Sequence, residues 1–136
     1  MRITSRCEYG LRAMVYLARQ GDVRPVPLSE IAAAEGIPGA FLERILGRLR
    51  EGGLVKATRG AAGGYQLAVE AGGIAVGDVV TALEGPLALV ECVPDGTACA
   101  RAGSCASRVA WRKLDSAISG ALNSITLDDL TREAVP

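Results

Sequence analysis

Apolar residues recur at helical spacing along most of the chain, and the interruptions between those runs fall on glycine and proline. Tyr9, Ala13, Met14, Tyr16 and Leu17 form the first stripe. It predicts a helix capped by Ser5, with Glu8 three residues later completing a capping box. That helix ends near Gln20-Gly21, and Pro25 and Pro27 predict an extended stretch after it. A second helix opens at Leu28-Ser29-Glu30-Ile31 and stops at Gly36. Pro38 suits the first turn of a third helix, whose apolar positions are Phe41, Leu42, Ile45, Leu46 and Leu49, and Gly52-Gly53 ends it. Two helices joined by a short turn containing glycine are the sequence form of a helix-turn-helix.

After Gly53 the period changes. Leu54-Val55-Lys56-Ala57 and Tyr65-Gln66-Leu67-Ala68 predict two strands joined by a glycine-rich turn from Arg59 to Gly64. The fold expected is therefore mainly α with a small β-hairpin: a winged helix-turn-helix, followed by a long C-terminal helix. A fourth helix spans Val76 to Leu83 and ends at Glu84-Gly85-Pro86. From Pro86 to Ser104 there is little periodicity, and a stretch of that length inside a compact domain is usually functional. The long helix then runs from about Cys105 to Ile125, with Trp111, Leu114, Ile118, Leu122 and Ile125 at three- and four-residue spacing. That stripe can pack on its own domain or pair with a copy of itself. A short helix near Leu127–Arg132 closes the chain. The organisation expected is a DNA-binding domain over 1–85, a cysteine loop over 86–104, and a dimerisation helix with a C-terminal tail over 105–136.

At 136 residues and 49% apolar, the chain can build one core without disulfides. It shows no apolar run long enough to span a bilayer and no apolar leader after Met1, so a cytoplasmic location away from membranes is expected. Thiols stay reduced there, which sets a disulfide framework aside. Net charge is zero, but unevenly so. Residues 1–67 hold ten Lys/Arg against six Asp/Glu, net +4, and residues 68–136 hold five against nine, net −4. The basic half is the one with the helix-turn-helix, which hints at nucleic-acid contact, while charge alone favours a mixed solvated surface. The absence of histidine removes the commonest general base, and no nucleotide-loop spacing is present, so an enzyme is not expected.

The unusual chemistry is three cysteines, Cys92, Cys99 and Cys105, inside the aperiodic stretch. Thiolates are soft ligands that select zinc, copper(I) or iron–sulfur clusters, and four ligands are usual. Gaps of six and five residues are longer than the paired spacing of structural zinc sites. In the helix-turn-helix, the N-terminal end of the third helix meets base edges, which singles out Pro38, Ala40, Phe41, Glu43 and Arg44. Glu43 can accept from cytosine and Arg44 can donate to guanine. Phe41 reads equally as core, and Glu43 with Arg44 as a solvated pair. Arg59 and Gly60 mark the wing tip, Arg2 is a candidate phosphate contact, and Arg48, Arg50 and Lys56 read as facing phosphate or solvent.

The opening Met1-Arg2-Ile3-Thr4, the wing Arg59-Gly60-x-x-Gly63-Gly64-Tyr65-x-Leu67, the segment Ala75-Val76-Gly77-Asp78-Val79, the cysteine triplet and Asn123-x-Ile125-Thr126-Leu127 together resemble the bacterial iron–sulfur-dependent winged-helix transcription regulators of the IscR/NsrR family. The resemblance covers nearly the whole chain. It implies a homodimer held by the long helix, a pseudo-palindromic operator in double-stranded DNA, and one [2Fe-2S] or [4Fe-4S] cluster per subunit, sensing redox state, nitric oxide or iron supply, with repression as the expected outcome. In some relatives a histidine shortly after the third cysteine is the fourth ligand; the matching position here is Arg108, which cannot ligate. Other relatives use a carboxylate near the start of the partner's first helix, and Glu8 stands there. Cys7, beside it, is the alternative fourth ligand on chemical grounds. Glu8 also has local uses, a capping box with Ser5 or an ion pair with Arg12. The competing readings are a clusterless or zinc-binding winged-helix regulator and an iron–sulfur redox protein.

Overall fold

The computed structural model describes residues 3–133. Six helices and one hairpin follow in the order α1 Ser5–Gln20, α2 Leu28–Glu35, α3 Gly39–Glu51, β1 Val55–Thr58, β2 Gly64–Leu67, a 3-10 turn Ala71–Gly73, α4 Val76–Glu84, α5 Ala106–Ser124 and α6 Leu127–Arg132. This is the expected mainly helical fold with a two-stranded antiparallel hairpin.

Thr4 caps α1, not Ser5: its hydroxyl accepts from the Cys7 N–H at 3.4 Å. The same hydroxyl donates to Glu84, eighty residues away, a partner no local pattern reveals. α2 ends at Gly36, whose φ of 63° and ψ of 38° are left-handed and favour glycine. Pro38 then stands just outside α3, as its N-cap residue. Leu42, Ile45, Leu46 and Leu49 are buried along one face of α3, against Ala13, Met14 and Leu17 of α1 and Ile31 of α2. Their spacing is the helical period that predicted the element.

Each strand sits one residue from its expected place. The Leu54 N–H goes to the Leu49 carbonyl at 3.0 Å and finishes α3, so β1 begins at Val55. β1 and β2 pair from Val55↔Leu67 to Thr58↔Gly64. Val26, between the two prolines, adds a bridge to Tyr65 with bonds of 2.9 and 2.8 Å in both directions. The wing is thereby fastened to the segment that leads into the helix-turn-helix.

The end of the chain returns to this core. Thr126 bridges Ala75, the Leu127 N–H reaches the Ile74 carbonyl at 2.9 Å, and Leu127 is fully buried in the main core. α5 behaves differently: none of its 19 residues is buried. Among the described residues, no helix is long and apolar enough to cross a membrane.

Candidate cysteine loop and nucleic-acid interface

α3 and the wing carry the basic face. Pro38, Ala40, Glu43 and Arg44 are exposed, and no ion pair joins Glu43 to Arg44 among the described residues. Phe41 is half-buried and packs edge-on against Tyr9, with ring centroids 5.6 Å apart, which makes it part of the core edge. Arg59 and Gly60 are exposed at the wing turn, where Gly60 has a φ of 105° and its carbonyl accepts from Gly63 at 3.0 Å. Only glycine adopts that conformation readily, so the turn that presents Arg59 depends on it. Arg2 lies outside the described residues. Arg48 is exposed, as expected, and its guanidinium also donates to the Leu83 carbonyl at 3.2 Å, a contact the sequence did not suggest.

Between α4 and α5 the chain forms a succession of turns. Its amides close on nearby carbonyls, from Val93 onto Val90 at 3.3 Å to Ser104 onto Arg101 at 3.0 Å. Asp95 accepts from both the amide and the hydroxyl of Thr97, at 2.9 and 2.6 Å, and this holds its carboxyl below the usual range. Arg108, in the first turn of α5, pins the whole segment. Its Nε donates to the Cys92 carbonyl at 2.9 Å and its terminal nitrogen to the Ala102 carbonyl at 3.4 Å. Arg108 is thus a brace for the loop.

Cys92 and Cys105 are half-buried, Cys99 is exposed, and all three are free thiols. Cys105 stands at the N-cap position of α5. The Ser107 hydroxyl, 3.0 Å from its sulfur, and then first-turn amides hold its thiol below the ordinary value. Cys7 is the opposite case. It is only 3% exposed, packed with Val76 and Val80, and burial first, then the charges of Glu84 and Glu8, push its thiol up. In a series of alkylations at rising pH, read by peptide mass spectrometry, Cys105 should therefore react faster and at lower pH than Cys7. Equal rates at the two positions would contradict these environments.

Glu8 is exposed on α1, and neither local use expected for it forms. The cap is Thr4, and Arg12 pairs with Glu35 at 3.4 Å while lying over the Tyr9 ring. No group of three or more Cys, Asp or Glu side chains gathers at metal distance among the described residues of one chain. Three reduced thiols on one braced loop are the right donors for a soft metal centre in their chemistry, and within one chain the structure does not draw the three sulfurs to a common point. On α5, Trp111 is 40% exposed, Leu114 48% and Ile125 39%, while Ile118 and Leu122 are half-buried. The Asp115 Oδ2 atom is buried without a hydrogen-bond partner among the described residues.

Sequence pattern did not reveal the Arg108 brace, the Arg48–Leu83 bond or the Thr4–Glu84 contact. Each joins residues distant in sequence through a side chain and a carbonyl or carboxylate, and no periodicity records such pairs.

Comparison with known proteins agrees with this architecture. The family model described as "Rrf2: Iron-dependent Transcriptional regulator" matches residues 3–133. Protein rrf2 of Nitratidesulfovibrio vulgaris is 42% identical over 134 residues, covering 98% of this chain and 89% of that protein. The HTH-type transcriptional regulator IscR of Enterobacter sp. strain 638 is 39% identical over 130 residues, 96% of this chain and 79% of that protein. The structure of CymR (YrzC), the global cysteine regulator of B. subtilis, superposes with a TM-score of 0.82 at 35% identity over 99% of both chains.

Proposed function

Because the chain belongs to the Rrf2 family of transcriptional regulators, we propose that it is a homodimeric repressor whose operator binding is set by an iron–sulfur cluster. It is a regulator, not an enzyme. The observation that carries the cluster reading is the triplet of free thiols on a loop braced by Arg108. In this reading Cys92, Cys99 and Cys105 supply three thiolates and Glu8 of the partner subunit supplies the fourth ligand. Such a group, when bound, supplies a cross-link between loop and partner that oxidant, nitric oxide or iron shortage removes. A carboxylate is a hard, exchangeable ligand beside soft thiolates, which suits a sensor.

The chain's own residues do the rest. Arg108 ties the loop to the start of α5, and loading must still draw the three sulfurs together, since one chain alone does not gather them. α5 offers the apolar residues Trp111, Leu114 and Ile125 to a second copy. A two-fold dimer then places two α3 helices toward successive major grooves, and two wings with Arg59 toward the adjacent minor grooves.

The likeness to CymR supports a second reading, a clusterless regulator of the same fold. The two separate on operator binding by cluster-loaded and cluster-free protein, using a duplex selected from a random pool. The cluster reading expects the two affinities to differ at least tenfold, within the ordinary range of allosteric coupling, about 5–150-fold. Equal affinities would leave the clusterless regulator. In either case Arg59→Ala should weaken binding by about 1–3 kcal/mol, and an unchanged affinity would remove Arg59 from the interface.

A further inference from the structure

Three helices meet at the last turn of α4, and the cysteine loop leaves from it. The carbonyls at a helix C-terminus lack donors of their own and form the negative end of its dipole. α4 has no basic residue in its last turn to satisfy them. Two other helices supply the donors: Arg6 of α1 and Arg48 of α3 both reach the Leu83 carbonyl, at 3.1 and 3.2 Å. The packing there is equally close. The Leu83 side chain is fully buried, and a Cβ added at Gly10 of α1 would overlap it. A Cβ at Gly52, the C-cap of α3, would lie 3.1 Å from the Ala82 Cβ. Thr4 ties the start of α1 to Glu84. Gly85 then takes a φ of 82° and turns the chain into the loop, whose first residues, Pro86 and Leu87, line one cleft with Val80 and Thr81 of α4 and Leu122 and Asn123 of α5.

From this junction we propose that Arg48 is a positioning residue for DNA recognition, and not a phosphate contact: it ties α3 to the end of α4, so that the state of the cysteine loop reaches the recognition helix through the Leu83 carbonyl. The inference rests on the reading of α3 as the DNA-reading helix and is independent of what the loop binds. The loop can be loosened without touching a thiol, because its brace is Arg108.

The experiment is a double-mutant cycle on the full-length, anaerobically purified protein, with Arg48→Met, Arg108→Ala and both together. The readout is affinity for the selected duplex over a series of salt concentrations. Arg108→Ala should change the affinity of the parent by about 2- to 30-fold, the range of mutations along a coupling path. In the Arg48→Met background it should have almost no further effect. Arg48→Met should keep the salt slope of the parent, whereas the loss of a phosphate contact would lower it by about 1. Distant residues without a shared partner normally act additively. An equal effect of Arg108→Ala in both backgrounds, no effect in the parent, or a salt slope reduced by about 1 in Arg48→Met would each overturn the proposal.

Arg48→Ala provides the same test if Arg48→Met fails to fold, and should likewise abolish the effect of Arg108→Ala. Arg6→Met is the control: it leaves the Arg48 bond to the Leu83 carbonyl in place, so the effect of Arg108→Ala should persist in it. Loss of that effect in Arg6→Met with its survival in Arg48→Ala would overturn the proposal as well. A parent protein that selected no duplex would instead strike down the DNA-reading assignment of α3, a separate and recognisable failure.

Discussion

If α5 pairs with a second copy as proposed, Leu114→Glu should leave a monomer and lower operator affinity by about 10²–10⁴-fold, the gain that linking two binding modules ordinarily provides. α5 is the longest helix of the fold and has no buried residue within its own chain. Leu114 is 48% exposed and Trp111 40%. Apolar area left in water forgoes about 25 cal/mol per Å² of stabilisation, which a second copy can recover. In a two-fold interface one substitution appears twice, and each new carboxylate must be desolvated without a partner. The folded monomer should survive, since Leu114 takes no part in the core. Sedimentation equilibrium with an operator titration reads both effects. A Leu114→Glu protein that kept the mass of a dimer would place the interface elsewhere.

The second large effect concerns the fourth ligand, where neighbouring residues should part company. Glu8→Ala should fold normally, bind iron and sulfide poorly, and lose them quickly in air. Cys7→Ala should keep the iron and sulfide content of the parent and lose about 1 kcal/mol of stability, as small deletions in a core do. The physical reason is burial. Cys7 is enclosed by Val76 and Val80, and its surroundings disfavour the thiolate that a metal requires. Glu8 is exposed, and the cap and ion pair that could occupy it are formed by Thr4 and Glu35 instead. Iron and sulfide counts with denaturant midpoints on both variants decide the matter. Loss of the metal from Cys7→Ala with retention in Glu8→Ala would reverse the assignment.

What the sequence made legible here is whatever repeats or punctuates. The stripes of α1 and α3 record burial at helical period, and Gly36, Gly52 and Gly85 mark helix ends. The glycine-rich turn between two short alternating runs announced the wing. α5 also shows the limit of periodicity: Trp111, Leu114, Ile118 and Ile125 form a stripe, and pattern alone does not distinguish a core of its own from one shared with a copy. The cysteine triplet was plain as composition, but the loop's shape was not, because Arg108 braces it through the carbonyls of Cys92 and Ala102, and any residue has a carbonyl. Arg48 shows the same limit. It reads as facing phosphate or solvent and is exposed, but its bond to the Leu83 carbonyl leaves no trace in the pattern. The offset at the start of α1 came from two adjacent hydroxyl residues, Thr4 and Ser5, of which the one that also reaches Glu84 became the cap.

The central claim is that Cys92, Cys99 and Cys105 hold an iron–sulfur cluster. Anaerobic purification followed by an absorption spectrum and counts of iron and acid-labile sulfide tests it most directly. The account predicts a coloured protein with matching iron and sulfide, and a Cys92→Ala/Cys99→Ala/Cys105→Ala variant without either. A colourless parent that takes up neither iron nor sulfide on reconstitution would contradict it.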